Sequence, residues 1–314
     1  MRMKRLAAAL MTAALCFGAA GAHAAQLVLP ADLKEIEDEA FSGALALDEV
    51  VLPQGVERIG DRAFAGCTAL KAVSIPAGTT ELGGGVFKNC HALERIDLPD
   101  GIESIGSDAF YKCASALKIF CHAGTKTADA VTACGMYFVC EDMPDYAFVQ
   151  SRDENGQAWL TLKKAFASEA DVTLPQEIDG VPVKALDAAF RLWDDLKSVV
   201  IPEGYESLLR GALNSCSALE RIDLPDTLKT IGGGAFVACG ALVEITIPSG
   251  VTELPGSVFL ECGSLERVYL PDHIESIGED AFADCPETLQ VFCRAGTATE
   301  AAVIAYGLTP TLLE

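Results

Sequence analysis

Residues 93–113 read LERIDLPDGIESIGSDAFYKC, and residues 265–285 read LERVYLPDHIESIGEDAFADC. The two stretches share their aliphatic positions, a proline, a glycine, an Ala-Phe pair and a cysteine. Copies of this pattern recur at 23-residue intervals, marked by an aliphatic residue or, at the end of each series, a cysteine: Leu29, Leu52, Ile75, Leu98 and Cys121, then Ile201, Leu224, Ile247, Leu270 and Cys293. A fixed period of this length predicts a solenoid, because one unit cannot bury its apolar face while stacked units can.

The start of each unit predicts a short strand. Ile96 and Leu98 alternate with Arg95 and Asp97, which directs two aliphatic side chains inward and two polar ones outward. Pro99 ends the strand because proline has no N–H for a ladder. Stacked units therefore build a parallel sheet.

The rest of the unit predicts a second extended piece and a turn. Ile102 and Ile105 point into the core, Gly106 permits a tight bend, and residues 108–110 are expected to begin a single helical turn that buries Phe110.

The two series are out of phase, since the interval of 80 positions from Cys121 to Ile201 is not a multiple of 23. We therefore predict two arrays, residues 25–142 and residues 143–314, as separately capped units. Leu174 precedes Ile201 by 27 residues, which indicates one unit with a four-residue insertion.

Each array is predicted to end in a short cap helix, at residues 128–134 and 300–306, with a threonine before it and a glycine after it. Between the arrays, residues 146–152 and 157–166 predict two strands of a β-hairpin, joined through a turn that contains Asn155-Gly156. This hairpin should cover the first rung of the second array. The phrase at residues 177–183 indicates where that array begins.

The 23-residue period, the I-G-x-x-A-F-x-x-C phrase and the Leu-Pro or Ile-Pro at the strand end resemble the BspA-like leucine-rich-repeat family of bacterial surface proteins. The resemblance covers most of residues 26–134 and 145–308. It implies a β-rich α/β leucine-rich-repeat solenoid with short parallel strands. It also implies an exported adhesion or interaction protein of a host-associated bacterium, and it brings no catalytic residues.

Residues 1–24 have the order of a secretory signal peptide: Arg2, Lys4 and Arg5, an apolar run, then Ala-His-Ala before the expected cleavage site. Leu15 before Cys16 is a poor match to the small residue that a lipid-attachment motif requires. We expect a secreted or cell-surface protein with no membrane insertion after cleavage. The net charge of −22 disfavours nucleic acid and anionic lipid surfaces as partners.

Seven cysteines occupy one position of the repeat: Cys67, Cys90, Cys113, Cys216, Cys239, Cys262 and Cys285. A buried, reduced column is the simplest interpretation, because parallel side chains on stacked units have poor disulfide geometry. A local disulfide between Cys134 and Cys140 remains open in an exported protein. No C-x-x-C pair or histidine spacing indicates a metal site.

Catalytic motifs find no support in the sequence. Cys121 and His122 are adjacent on a strand and should point to opposite faces. Glycine triplets at residues 83–85 and 232–234 suggest a phosphate loop, yet neither is followed by Lys-Ser or Lys-Thr. We expect no enzyme and no cofactor.

The outward strand positions are the candidate binding surface, because exposed aromatic and arginine side chains often anchor interfaces. The candidate residues are Arg267, Tyr269, Phe292, Arg221, Asp223, Arg95 and Asp97. The leading hypothesis is recognition of an extracellular protein or glycan. The alternative is a structural spacer without a specific ligand, which could self-associate through the uncapped N-terminal edge.

Overall fold

The computed structural model describes residues 26–166 and 169–313, so the predicted signal peptide at residues 1–24 lies outside the described residues. Contacts between residues divide the chain into two compact units, Met1–Pro144 and Asp145–Glu314. Each unit is a stack of the 23-residue repeats.

Unit 1 contains two parallel ladders, and each rung contributes one strand to each ladder. The first ladder, in spatial order, consists of β1 (Gln26–Val28), β3 (Glu49–Val51), β5 (Ala72–Ser74), β7 (Arg95–Asp97) and β9 (Lys118–Phe120). The second consists of β2 (Glu35–Ile36), β4 (Arg58–Ile59), β6 (Glu81–Leu82) and β8 (Ser104–Ile105). Paired residues are 23 apart, as in Arg95 opposite Lys118, so the period of the sequence is the register of the sheet.

Unit 2 continues the same pattern after two hairpins. Its strands are β11 (Met143–Arg152, whose first residues precede the unit), β12 (Ala158–Ala165), β13 (Asp171–Thr173), β14 (Glu177–Ile178), β15 (Val181–Leu186), β16 (Ser198–Val200), β17 (Ser207–Leu208), β18 (Arg221–Asp223), β19 (Thr230–Ile231), β20 (Glu244–Thr246), β21 (Glu253–Leu254), β22 (Arg267–Tyr269), β23 (Ser276–Ile277), β24 (Gln290–Arg294) and β25 (Thr311–Leu313). The strand pairing of unit 2 is interrupted in both ladders, between β18 and β20 in the first and between β19 and β21 in the second. Hydrogen bonds between the turns of neighbouring rungs continue past this division, as in the Phe236 amide, which donates to the Val258 carbonyl at 3.0 Å.

The expected helical turn at residues 108–110 is wrong. Asp108 adopts a left-handed conformation with φ of 58°, and the segment forms stacked turns. The amide N–H of Phe87 donates to the Ala109 carbonyl of the next rung at 2.9 Å. The turns therefore form a third hydrogen-bonded column, which still buries the phenylalanine of each rung.

The buried phenylalanines stack along both units. Ring centroids are separated by 5.2 Å between Phe41 and Phe64 and by 5.6 Å between Phe64 and Phe87. In unit 2, Phe236 and Phe259 are 5.5 Å apart. Within each unit, near-parallel rings on neighbouring rungs stack in the core, and this packing stabilises the stack.

Gly106 is required for close backbone packing, and not for the tight bend that the sequence predicted. Its φ is not positive, but a Cβ built on it would lie 2.3 Å from the backbone nitrogen of Gly84. Gly278 is equivalent, with a Cβ position 2.3 Å from the nitrogen of Gly256. Glycine is required here because the backbones of two rungs are in contact.

Both predicted cap helices are present as α1 (Lys126–Ala133) and α2 (Ala298–Tyr306). The hydroxyls of Thr125 and Thr297 accept the N-cap hydrogen bonds, and Gly307 ends α2 with φ of 102°. The sequence did not predict the strands that follow, β10 (Phe138–Cys140) and β25, which pair in parallel with β9 and β24. Each cap is thus a helix followed by one more strand.

The predicted hairpin is confirmed, with β11 and β12 antiparallel and Arg152 opposite Ala158. The Asp153 carboxylate accepts from the Asn155 and Gln157 amides, both at 2.9 Å, which stabilises the turn. β12 then pairs in parallel with β15, so the hairpin covers the start of the ladder. A second hairpin, β14–β15, turns through Asp179-Gly180, which sequence analysis recognised only as an array entry.

The cysteine column is buried at Cys67, Cys90, Cys216, Cys239 and Cys262, whereas Cys113 and Cys285 near the stack ends are half-buried. Each thiol donates to a backbone carbonyl 26 residues earlier, as in Cys262 to Phe236 at 3.1 Å. All the described cysteines are free thiols. The structure does not form the Cys134–Cys140 disulfide: the Cys134 thiol donates to Val131 and the Cys140 thiol to Cys121.

Candidate recognition surface

The outer strand face comprises the first and third residues of the three-residue strands, whose middle residue points into the core. In β7 the middle residue Ile96 is fully buried, while Arg95 and Asp97 are half-exposed. The same alternation holds at β18, β20 and β22. Six of the seven candidate binding residues lie at these positions, and Phe292 occupies the third residue of the five-residue strand β24, which faces outward by the same period of two.

Arg267, Tyr269 and Phe292 form one cluster in unit 2. Tyr269 pairs with Phe292 across β22 and β24, and their rings stack with centroids 4.7 Å apart and an interplanar angle of 16°. Both rings remain half-exposed. Arg267, two residues before Tyr269 on the same face, pairs with Glu244 at 2.9 Å and with Glu266 at 3.1 Å.

The remaining candidates form two Arg–Asp pairs along single strands. Arg221 bridges to Asp223 at 3.2 Å in unit 2. Arg95 bridges to Asp97 at 2.6 Å in unit 1 and also pairs with Glu141. Ion pairs this exposed contribute little to stability, so these residues are available to exchange partners with a ligand.

Phe120 of unit 1 differs in exposure from its counterpart Phe292 of unit 2. Phe120 is 6% exposed, and the Arg95 guanidinium lies 3.9 Å from its ring centroid. In unit 1 the Arg95 side chain therefore covers Phe120, whereas Phe292 at the equivalent position of unit 2 stays half-exposed. The exposed aromatic pair is a property of unit 2.

A depression on the outer face of unit 1 was missed by sequence analysis. It has a volume of about 520 Å³ and is lined by Asp48, Glu49 and Lys71, with the small residues Ala72 and Ser74. The Oδ1 atom of Asp48 is buried and has no hydrogen-bond partner among the described residues. Small side chains at two outward positions are the only signal in the sequence that could have indicated this hollow.

The described residues give no further indication of chemistry at a metal or thiol site. They contain no group of three or more His, Cys, Asp or Glu side chains placed to hold a metal ion. Cys121 is buried, whereas His122 is exposed and contacts Asp100 at 2.9 Å. Among the helices of the described part, none is long and apolar enough to span a bilayer.

Comparison with known proteins agrees with this architecture. The family model described as "BspA type Leucine rich repeat region" matches six copies at residues 17–130 and 172–295. The chain belongs to this BspA-type leucine-rich repeat family. The family is defined by its repeat, and no catalytic family is indicated. No curated protein matches the chain.

Solved structures of other bacterial leucine-rich repeat proteins are similar to the chain. A Bacteroides ovatus leucine-rich repeat protein, 21% identical, aligns with a TM-score of 0.52 over 92% of this chain and 84% of its own. A leucine-rich cell surface protein of Faecalibacterium prausnitzii is 24% identical, with a TM-score of 0.45 over 90% and 74% of the two chains. A T. pallidum leucine-rich repeat protein is 32% identical over 46% and 68%, with a TM-score of 0.43. The Bacteroides similarity shows the shared solenoid fold.

Proposed function

We propose that the protein is an exported, non-catalytic recognition protein whose outer strand face in unit 2 binds an extracellular protein or glycan. The observation that carries the proposal is the stacked Tyr269–Phe292 pair beside Arg267. Aromatic rings that stay exposed on a folded protein often mark an interaction site. Aromatic residues and arginine are also the residue types that most often anchor binding interfaces.

Export and surface location are supported by the basic, apolar and small-residue order of residues 1–24. Membership of a family with a cell-surface structural neighbour is consistent with this location. The high negative charge favours solubility outside the cell and disfavours nucleic acid and anionic lipid surfaces as partners.

The rival function is a spacer that self-associates through β1, the outermost strand of its ladder. The test immobilises the chain without residues 1–24 and screens extracellular-matrix proteins and glycan arrays, with sedimentation measured in parallel. Saturable binding by a monomer supports recognition. Concentration-dependent oligomers that bind no protein or glycan in the screen would support the spacer instead.

A further inference from the structure

One column of backbone N–H groups behaves differently in the two units. In unit 1 the amide of Asp61 donates to the Asp38 carboxylate at 2.8 Å, and the amide of Gly84 donates to the Asp61 carboxylate at 2.8 Å. Each donor lies two residues after the last aliphatic of a second-ladder strand. At these two rungs a carboxylate on the preceding rung thus accepts from the amide, whereas Ser107, at the same position one rung later, follows Gly84 and has no such acceptor.

Unit 2 has the same donors without the carboxylates. The equivalent residues, again 23 apart, are Arg210, Gly233 and Gly256. Their amide groups donate to no described residue, because the residues at this position of the preceding rungs, Ala188, Arg210 and Gly233, supply no carboxylate as Asp38 and Asp61 do in unit 1. The fold therefore holds backbone donors that the sequence of unit 2 leaves open.

These donors line a depression of about 520 Å³, which includes the side chains of Arg191, Arg210 and Asn214. This volume falls within the range of small-ligand sites. None of the lining residues is acidic, although the chain contains 45 acidic residues. Gly233 and Gly256 present no side chain there, so a ligand can approach the backbone closely.

Both arginines of this depression are unengaged. The guanidinium groups of Arg191 and Arg210 form no ion pair or hydrogen bond with any residue that the structure describes. The other arginines of the described ranges each have a hydrogen-bond acceptor or carboxylate partner, as Arg58 has in Glu35 and Arg62 in Glu39. Two free guanidinium groups and residues with open N–H donors thus line the same depression, and both kinds of group can donate to an anion.

We propose that this arginine–glycine depression binds the carboxylate of an acidic peptide segment. An aspartate side chain is what the repeat itself places on these donors in unit 1, which identifies both the chemical group and a polypeptide as its carrier. Arginine adds bidentate recognition of the carboxylate. The site is separate from the outer strand face and does not depend on the function proposed for that face.

The test measures the fluorescence anisotropy of a labelled, end-capped Asp-rich peptide with the chain that begins at residue 25. The matched Asn peptide should bind at least about tenfold more weakly, because it lacks the charge that strengthens these hydrogen bonds. Arg191→Gln combined with Arg210→Gln should weaken the Asp peptide by a similar factor. Arg62→Gln in unit 1, an exposed arginine already paired with Glu39, is the control and should leave binding unchanged.

Gly233→Asp provides a sharper variant, because it restores the carboxylate that Asp61 supplies in unit 1. A Cβ at Gly233 meets its nearest atom at 3.4 Å and the backbone φ is not positive, so the side chain fits. This internal carboxylate should reduce peptide binding at least about tenfold without lowering the melting temperature. Gly233→Ala is the matched control and should bind as the parent does.

Equal affinity for the Asp and Asn peptides, or unchanged binding by the double glutamine variant, would overturn the proposal. Stronger binding of sulfate or of a uronic-acid oligosaccharide than of the peptide would also overturn it, since the ligand would then be another anion. If Gly233→Asp fails to fold, the double glutamine variant decides the outcome.

Discussion

At the scale of single residues, the repeat is constrained most strongly where two backbones touch. Gly278 shows this constraint, because its ideal Cβ position lies 2.3 Å from the Gly256 nitrogen and 2.7 Å from the carbonyl carbon of Pro255. Neither atom belongs to a flexible side chain. The sequence identifies the glycine, but only the stacked structure shows that space rather than φ requires it.

Gly278→Ala should therefore destabilise unit 2 by about 2 kcal/mol or more, since rungs must separate to admit the methyl group. Gly263→Ala is the matched control, because a Cβ there meets no atom within 4 Å and its φ is not positive. Urea denaturation of both variants measures the difference. Equal stability of the two would show that the rungs are not in backbone contact.

The cysteine column makes stability depend on alkaline pH. Burial raises the pKa of the Cys262 thiol from its ordinary value near 9 to about 12, and it raises that of Cys90 to about 12. The folded chain keeps these protons where the unfolded chain loses them. Their contribution is thus complete below about pH 9 and is lost as the pH rises towards 12.

Cys262→Ala should cost about 1 to 2 kcal/mol near neutral pH, through a small cavity and the lost hydrogen bond to Phe236. The variant should also show a smaller fall in the free energy of unfolding between about pH 8 and pH 10.5, since one such thiol is gone. Urea titrations at the two pH values test both expectations. An unchanged pH dependence would mean that Cys262 is accessible to water.

At the scale of elements, the caps hold the ends of the stacks through buried threonines. Thr299 of α2 is fully buried, its hydroxyl donates to the Pro271 carbonyl, and it accepts from the Ile274 amide at 2.9 Å. Thr127 of α1 makes the equivalent contacts with Pro99 and Ile102. In other rungs the equivalent amide donates directly to the proline carbonyl of its own rung, as Val251 does to Pro248 at 3.1 Å, so at the last rung the threonine hydroxyl bridges these two groups.

Thr299→Val should destabilise unit 2 by about 1 to 3 kcal/mol, because it leaves the buried Ile274 amide without an acceptor. Thr299→Ser keeps the hydroxyl and should retain most of the stability. Thermal unfolding of the two variants makes the comparison. Equal losses would indicate that the methyl group, not the hydrogen bonds, holds the cap.

Elements differ in how far the sequence predicts them. The alternation around Ile96 predicts β7 and its outer face, because a period of two leaves one arrangement of side chains. The turn at Asp108 was assigned wrongly, since its hydrogen bonds run to the neighbouring rung and not along the local chain. The arginine–glycine depression was also not predicted, because residues of four successive rungs line it and because it depends on the absence of carboxylates there.

At the scale of the whole molecule, the contacts divide the chain after Pro144, within the stretch between Cys121 and Ile201 where the repeat phase is lost. We expect limited proteolysis to cut first near residues 140–145 or within the turn at 153–156, where the rungs are interrupted. Mass spectrometry of the early fragments gives the cut sites. Early cuts confined to the 23-residue rungs would refute separately capped units.

The central claim is that ligand recognition resides on the outer strand face of unit 2. The most direct measurement is the dissociation constant of the ligand found by the screen, for the parent chain and for Arg267→Ala combined with Tyr269→Ala. The double variant should bind more weakly by about 1 to 3 kcal/mol with little change in melting temperature. Glu253→Ala combined with Ser276→Ala, at exposed positions of the second ladder, should bind as the parent does. An unchanged dissociation constant in a folded Arg267→Ala, Tyr269→Ala variant would contradict the claim.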